Sequence, residues 1–121
     1  MRNMSFALTT RQFLDGSKTV TRRLGWKSLR IGDRFRACVK CMGLRKGEKV
    51  QVLGECRVVN ISREPLNAIT DDDVAREGFP GMTAAEFVAM FCRHMTCQPG
   101  EIVTRIEFER VGVNTESERA G

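Results

Sequence analysis

The stretch LDGSKTVTRRLGW, residues 14–26, contains the transition from a short helix to a strand. The preceding residues TTRQFL fit a short helix capped by Thr9 or Thr10, and Gly16 is typical of the residue that ends a helix. The residues KTVTRRL that follow are suited to a strand. The stretch therefore predicts a helix, a glycine turn and a basic strand in immediate succession.

Lys18 and Thr21 are the residues of this stretch that could carry chemistry. A threonine hydroxyl is a poor nucleophile unless a neighbouring base takes its proton. Lysine can be that base when partial burial or nearby positive charge lowers its pKa, and Arg22 and Arg23 supply such charge. Spacing alone favours a simpler interpretation, a turn followed by a basic strand.

The geometry of the turn decides between these interpretations. On a straight strand, residues three apart point to opposite faces, so Lys18 and Thr21 would diverge. They converge only if the turn at Gly16 extends past Lys18 and the strand begins near Thr19 or Val20. This bend is the sequence's most specific structural prediction.

The composition is that of a soluble globular protein of one domain, with 121 residues, 41% hydrophobic and 29% charged. No apolar run approaches the ~20 residues that span a bilayer. The start MRNMSFALTTRQ lacks the apolar stretch and cleavage site of a signal peptide. We therefore expect a cytoplasmic protein with no membrane partner.

The charge balance is basic, with a formal net charge of +5 and a pI of about 9.3. Such a balance favours polyanionic partners, RNA or single-stranded nucleic acid first, through neutralisation of phosphates. A solvated basic surface without a nucleic-acid partner fits the same numbers.

The five cysteines indicate reduced thiols, because their number is odd and no secretion signal is present. Cys38 and Cys41 have the spacing of half a zinc site. Strand alternation divides DRFRACVKCM into a face of Phe35, Ala37, Val39 and Cys41 and a face of Arg34, Arg36, Cys38 and Lys40. The two thiols could share a metal only if the strand ended between them. Cys92, His94 and Cys97 follow no familiar ligand spacing, so we expect buried or edge thiols, no metal site and no cofactor.

The pattern of the first half of the chain is mostly strands. A turn at Gly32-Asp33 precedes the strand DRFRACVK, and EKVQVLGECRVVNISRE fits a long strand with a bulge at Gly54. The segment from Met42 to Gly47 is predicted to be the turn between them.

In the second half of the chain, the hydrophobic pattern predicts two helices followed by one last strand. Thr70 is a good cap for DDDVAREGF, and Thr83 with Glu86 forms a capping box for MTAAEFVAMFCRHM. The stripe of that helix is predicted to be core, with His94 a partly buried packing residue; its members are Phe87, Met90, Phe91 and Met95. EIVTRIEFERV then closes a single domain over residues 1–111, with a flexible tail over residues 112–121. This order indicates an α+β fold, with an antiparallel sheet or small barrel and two or three short helices.

The pattern Gly16-x-Lys18-x-x-Thr21-x-Arg23 resembles the signature of ASCH domains, small RNA-associated β-barrels of the PUA-like superfold. It is most similar to the branch with threonine at the variable position, the bacterial amidohydrolases that remove the acetyl group from acetylcytidine. The resemblance extends over about residues 6–111, although only this first motif is distinctive.

Three further matches support the resemblance. Gly32-Asp33 lies where that family enters a strand, Glu77 precedes the MTAAEF helix as the family's acidic residue precedes a Met-Thr helix, and RIEFERV matches the closing strand. The segment Gly78 to Gly81 is longer than in the short amidohydrolases. An added segment around Trp26 and a hairpin from Arg36 to Glu48 could reshape the cleft.

The resemblance implies a PUA-like barrel and assigns roles to four residues. Lys18 would be the base, Thr21 the nucleophile and Glu77 the acidic partner, whereas Arg23 would be a substrate-binding or structural cation. Thr21 would attack an amide carbonyl on the exocyclic amine of a base. Trp26 would stack a base or cover core, and packing is the safer prediction.

Three functions follow from these observations. The first is a metal-independent amidohydrolase acting on an acylated cytidine or a similar modified nucleoside. The second is a non-catalytic module that binds RNA, single-stranded nucleic acid or a modified base, with phosphate contacts from Lys18, Arg22, Arg23, Arg34 and Arg36. Ribonuclease activity ranks last, because His94 is the sole histidine and nothing in the sequence places it beside Lys18.

Overall fold

A computed structural model describes residues 1–40 and 46–113 of the chain. Its five strands are β1 (Asn3–Ser5), β2 (Val20–Arg23), β3 (Arg34–Cys38), β4 (Val52–Pro65) and β5 (Ile102–Val113). The helices are α1 (Thr10–Leu14), α2 (Asp71–Arg76) and α3 (Ala84–Met95), with 3-10 turns at Ala7–Thr9 and Leu66–Ala68. The predicted α+β class is confirmed.

The strands form one mixed sheet in the order β1-β3-β4-β5-β2. Its centre is the long antiparallel pair of β4 and β5, which runs from Gly54 opposite Val113 to Pro65 opposite Ile102. The edge strand β1 pairs parallel with β3, and the sequence analysis did not predict it.

The predicted barrel is not closed: the sheet of the described residues has two edge strands, β1 and β2, which do not pair with each other. Closing a barrel requires backbone pairing all the way round. Here the edge strands have only three and four residues. A side chain crosses between them instead, since Arg23 Nη2 donates to the carbonyl oxygen of Ser5 at 2.7 Å.

The predicted turn at Gly16 and the predicted caps at Thr70 and Thr83 are confirmed, whereas Thr9 precedes α1 without a side-chain capping hydrogen bond. Gly16 follows α1 with a φ of +83°, and β2 begins at Val20. The Thr70 side chain accepts from Asp73 N–H at the start of α2. Thr83 and Glu86 form the predicted capping box of α3.

The bulge in β4 lies one residue before the predicted position. Ala37 pairs with Gly54 and Cys38 with Val52, so Leu53 is the extra residue. The shift ends the alternation of β3, and Cys38 is fully buried. Cys38 therefore does not share the face of Arg34 and Arg36 as predicted, whereas its burial agrees with the expectation of buried or edge thiols. Cys41 and most of the predicted turn lie outside the described residues.

Two hydrophobic cores follow one another along the β4–β5 pair. The first lies between the sheet and α1 and includes Met4, Phe6, Phe13, Phe35, Leu53, Val58, Ile106 and Phe108. The second joins the end of the hairpin to α2 and α3 and includes Leu66, Ile69, Val74, Phe87, Phe91 and Val103.

Strand β5 includes Gly112 and Val113, which the sequence analysis assigned to the tail. The remainder of the predicted tail lies outside the described residues. Within residues 1–40 and 46–113, no helix is long and apolar enough to span a bilayer.

Candidate active site

The turn after α1 determines where Lys18 lies. The backbone N–H of Lys18 donates to the carbonyl oxygen of Gln12 at 3.0 Å. The positive φ of Gly16 reverses the chain, a conformation that glycine adopts without steric cost. Because β2 begins only at Val20, Lys18 lies in the turn ahead of the strand. This is the bend that its convergence with Thr21 requires.

Glu77 lies at the C-terminal end of α2 and contacts Lys18. Lys18 Nζ donates to the carbonyl oxygen of Glu77 at 2.7 Å and to its Oε1 at 3.1 Å. Gly78 has a φ of +108°, and a Cβ there would lie 3.1 Å from the Gln12 side chain. Lys18 and Glu77 are 4% and 3% exposed, so a charge on either side chain depends on buried hydrogen-bond partners.

Arg22 holds the second oxygen of the same carboxylate. Its Nη1 donates to Glu77 Oε2 at 3.2 Å, and its Nη2 donates to Asp73 Oδ2 at 2.6 Å. Arg105 makes two hydrogen bonds to Asp73, at 2.7 and 3.0 Å. Hydrogen bonding from Arg105, with a further contribution from Arg22, lowers the pKa of Asp73 to about 2. The carboxylates of α2 are therefore fixed in place by cations of the sheet.

This network was not predicted from the sequence, because it depends on the pairing of strands that are far apart in the chain. Arg22 and Arg105 lie directly opposite each other in the β2–β5 pair. Like charges at opposed positions destabilise a sheet unless an anion lies between them. Asp73, the last residue of the acidic triplet at the start of α2, is that anion.

Thr21 is held by Arg23, two residues along the same strand. Arg23 Nε donates to Thr21 Oγ1 at 3.1 Å, and the guanidinium lies 5.1 Å from the centre of the Phe6 ring. Thr21 is buried. Because its oxygen accepts from a cation, its own O–H proton is directed elsewhere, and negative charge on the oxygen is stabilised.

Burial lowers the pKa of Lys18 below its ordinary value. Glu77 opposes this effect, while Arg23 and Arg22 lower the pKa further. A neutral lysine amine has two N–H donors and one lone pair, and Glu77 provides two acceptors. The lone pair is then free to accept a proton.

Lys18 and Thr21 line the same cleft, but no hydrogen bond joins them among the described residues. Both hydrogen bonds of Lys18 Nζ go to Glu77, and Thr21 Oγ1 accepts from Arg23. Transfer of a proton from Thr21 to Lys18 requires a side-chain rotation or a bridging group, and catalytic hydrogen bonds often tighten only with substrate bound.

The cleft has a volume of about 350 Å³. Its polar floor consists of side chains from β2, the preceding turn and the end of α2, namely Lys18, Thr21, Arg22, Arg23 and Glu77. Its apolar wall comes mainly from α3 and the turn before it, with Phe79, Phe87, Met90, Phe91 and Met95. The three residues proposed for catalysis from the resemblance thus share one cavity.

The apolar face of α3 packs in the second core, as predicted, and also lines the cleft. Phe87 and Phe91 are buried in the second core and also face the cleft. Met95 is 45% exposed, and His94 is exposed at the cleft lining. The predictions of a buried Met95 and a partly buried His94 are wrong, because α3 reaches past its core contacts at its C-terminal end.

The other predicted binding residues do not line this cleft. Trp26 is half-buried against the first core, with the Arg2 guanidinium 3.7 Å from its ring centre. Arg34 pairs with Glu55 at 2.7 Å, and Arg36 donates to Asn3 Oδ1 at 3.0 Å. The five predicted phosphate contacts therefore do not form one surface: Lys18 and Arg22 are buried among carboxylates.

No cluster of three or more metal-ligating side chains occurs within the described ranges. Cys38 is buried inside the sheet, and its predicted partner at position 41 is outside those ranges. The expectation of no metal site at Cys38 and Cys41 stays a prediction, which metal analysis of the purified protein tests.

Solved structures of ASCH domains share this fold. An ASCH domain from Lactobacillus crispatus superposes with a TM-score of 0.61 at 16% identity, over 92% of this chain and 79% of that one. ASCH from Zymomonas mobilis gives a TM-score of 0.58 at 13% identity, over 98% and 75%. A DUF984-family protein from Enterococcus faecalis gives 0.65 at 18% identity, over 89% and 72%.

At these identities, the similarity establishes the fold: the chain has the ASCH architecture, with its sheet open rather than closed. No protein-family model matches the sequence. No curated protein matches it either. The activity must therefore be argued from the cleft itself.

Proposed function

We propose that the protein is an amidohydrolase that removes an acyl group from the exocyclic amine of cytidine or a similar modified base. One observation carries this proposal: Lys18, Thr21 and Glu77 line a single cleft. A hydroxyl, an amine with a lowered pKa and a carboxylate that positions the amine are the components of nucleophilic acyl transfer.

The reaction begins when neutral Lys18 accepts the proton of Thr21 Oγ1. The oxygen forms a bond to the acyl carbon, and the protonated lysine returns the proton to the exocyclic nitrogen as the amide C–N bond breaks. Water then attacks the acyl carbon of the resulting Thr21 ester while Lys18 accepts a proton from it. The bond between the acyl carbon and Thr21 Oγ1 breaks, and Lys18 returns the proton to that oxygen. The products are the free amine of the base and a carboxylic acid.

Arg23 and Glu77 support these steps from either side. The hydrogen bond of Arg23 to Thr21 Oγ1 stabilises the developing alkoxide. Glu77 holds the Lys18 amine through two acceptors, so that the nitrogen lone pair is the free position. The Arg22 contact leaves that carboxylate little freedom to rotate.

The dimensions and lining of the cleft favour a nucleoside-sized substrate. Its volume of about 350 Å³ lies in the range of small-molecule sites. Aromatic side chains such as Phe79 and Phe91 present apolar surface on which a base could lie. Because Lys18 and Arg22 are committed to carboxylates, the floor is suited to an uncharged acyl base rather than to a phosphate.

Turnover of acetylcytidine tests the proposal, with release of cytidine followed by chromatography. Thr21→Val keeps the shape of the side chain but removes the nucleophile, and Lys18→Met removes the base. We expect each to lower kcat/KM by a factor of about 10² to 10⁴. Arg34→Gln is the control, since this exposed arginine lies away from the cleft, and it should retain wild-type turnover. Full activity in Thr21→Val would exclude the mechanism.

Binding without catalysis is the second candidate, favoured by the Lys18 hydrogen bonds, which go to Glu77 rather than to Thr21. In that case acetylcytidine binds, measured by calorimetry, without release of cytidine. The salt dependence of the affinity distinguishes single-stranded RNA from a nucleoside as the ligand. For a polyanion, the logarithm of the binding constant falls linearly with the logarithm of the salt concentration.

A further inference from the structure

Two cysteines lie in contact at the C-terminal end of α3. The Sγ atoms of Cys92 and Cys97 are 3.8 Å apart, and both residues are half-buried. Thr96 has a φ of +52°, which turns the chain back so that Cys97 N–H donates to the carbonyl oxygen of Cys92 at 3.3 Å. The turn at the C-terminal end of α3 therefore brings the two thiols into contact.

We propose that Cys92 and Cys97 are an oxidation site, at which an intramolecular disulfide forms and fixes the end of α3 beside the cleft. Bond formation requires the two sulfur atoms to approach to about 2.05 Å. The approach involves rotation of the two side chains about Cα–Cβ, and the intervening turn already brings the two backbones within hydrogen-bond distance.

The other described cysteines are poorly placed for the same reaction. Cys56 is fully buried, and burial raises the pKa of its thiol to about 12. Cys38 is fully buried within the sheet. Burial, with a further contribution from Cys92, also raises the pKa of the Cys97 thiol. Access therefore distinguishes the described cysteines: Cys92 and Cys97 are the half-buried pair that a small oxidant can reach.

The chemistry balances with a low-molecular-weight disulfide such as glutathione disulfide as the oxidant. The thiolate of Cys92 attacks one sulfur of that disulfide, forms a mixed disulfide and releases one glutathione thiolate. Cys97, after losing its proton, attacks Sγ of Cys92 and releases the second glutathione. Two protein thiols are oxidised and one glutathione disulfide is reduced to two thiols.

The consequence for the cleft follows from the residues between the two cysteines. His94 and Met95 both contribute to the cleft lining and are exposed. A six-residue loop closed by a disulfide restricts their backbone. Oxidation therefore limits the movement of the cleft wall opposite Lys18 and Thr21.

Peptide mapping of the full chain tests the bond directly. The protein is equilibrated with glutathione disulfide, its remaining thiols are alkylated, and it is digested with trypsin without reduction. Cleavage after Arg76, Arg93 and Arg105 separates the two cysteines. We expect residues 77–93 linked to residues 94–105, and separation of the two peptides on reduction.

Matched variants check the pairing and the route. Cys97→Ser should yield no linked peptides and should retain glutathione on Cys92. The double variant Cys38→Ser/Cys41→Ser should still give the linked pair. Failure to find the linked peptides while Cys92 and Cys97 remain reduced, or carry separate glutathiones, would overturn the proposal.

Hydrogen exchange tests the effect on α3. In the oxidised protein, amides of residues 94–97 should exchange severalfold more slowly than in the reduced protein, whereas those of β4 should be unchanged. A disulfide without this protection would overturn the inference about the cleft wall. Neither readout needs substrate turnover, so the result is independent of the proposed amidohydrolase activity.

Discussion

Opposing effects act on the pKa of Lys18. Its side chain is 3% exposed, which disfavours the ammonium form. The carboxylate of Glu77 and the carbonyl at the end of α2 both accept from its Nζ, which favours that form. An amine in this balance loses its proton more easily than an exposed lysine, and this is the property that a general base requires.

This balance predicts a pH dependence of stability on the alkaline side. Because the pKa of Lys18 is lowered from 10.5 in the folded protein, the unfolded chain holds the proton more tightly. The free energy of unfolding should therefore rise with pH between the lowered pKa and 10.5, relative to Lys18→Met, which lacks the group. Below the lowered pKa, the difference between the two proteins should be constant. Urea unfolding from about pH 7 to about pH 10.5 measures the difference, and parallel curves throughout would contradict the prediction.

Arg22 predicts a large loss of stability on substitution. Arg22→Met leaves Glu77 and Asp73 each without one of their buried cations, and breaking such a pair costs about 3–5 kcal/mol. Arg57→Met is the control, because its ion pair with Glu109 is exposed and contributes about 0–1 kcal/mol. Urea unfolding of both variants gives the comparison. Similar losses in the two would show that the Arg22 network does not stabilise the fold.

The residues of the site were predictable to different extents. Lys18 and Thr21 followed from a local motif, and Glu77 from its place before a helix. The link between Arg22 and Asp73 joins residues 51 positions apart, and no local period contains it. The apolar face of α3 was visible as a stripe, but a stripe does not reveal whether it meets core or an open cleft.

At the scale of elements, local chemistry determined what could be predicted. Two helix caps, at Thr70 and Thr83, form hydrogen bonds with residues three positions along the chain. The turn at Gly16 depends on the positive φ of one residue. Such local features can be predicted from the sequence. Strand β1 was missed because three residues carry no usable alternation, and its partner β3 lies about 30 positions away. The bulge at Leu53 depends on the same long-range pairing.

The capping box of α3 predicts a moderate loss of stability in Thr83→Ala. Thr83 Oγ1 accepts from Glu86 N–H at 3.2 Å, and Glu86 Oε1 accepts from Thr83 N–H at 3.0 Å. Loss of an N-cap side chain costs about 1 kcal/mol. Thr83→Ser keeps the hydroxyl and should stay close to wild type. Thermal unfolding of both variants measures the effect, and equal midpoints would contradict a role for the cap.

At the scale of the molecule, the cleft lies where the two cores meet. Phe6 of the first core and Phe87 and Phe91 of the second all line it, and the paired charges of β2 and α2 form its floor. The sheet remains open at the same side, where Arg23 connects the short edge strands. Among the described strands, β1 and β2 are therefore joined at this side by a side chain rather than by backbone pairing.

A ligand in this cleft contacts both cores and should stabilise the whole domain. The catalytically disabled variant Thr21→Val allows acetylcytidine to be tested without being consumed, under the proposed function. At 100 times its dissociation constant, a ligand that binds only the folded state adds about 2.7 kcal/mol, which for a domain of this size raises Tm by several degrees. Phe91→Ala removes part of the apolar wall, so the increase in Tm on adding ligand should be smaller in this variant. Tm is measured for each variant with and without ligand, because the substitution also lowers Tm by itself. An unchanged Tm at saturating acetylcytidine would exclude this compound as the ligand of the cleft.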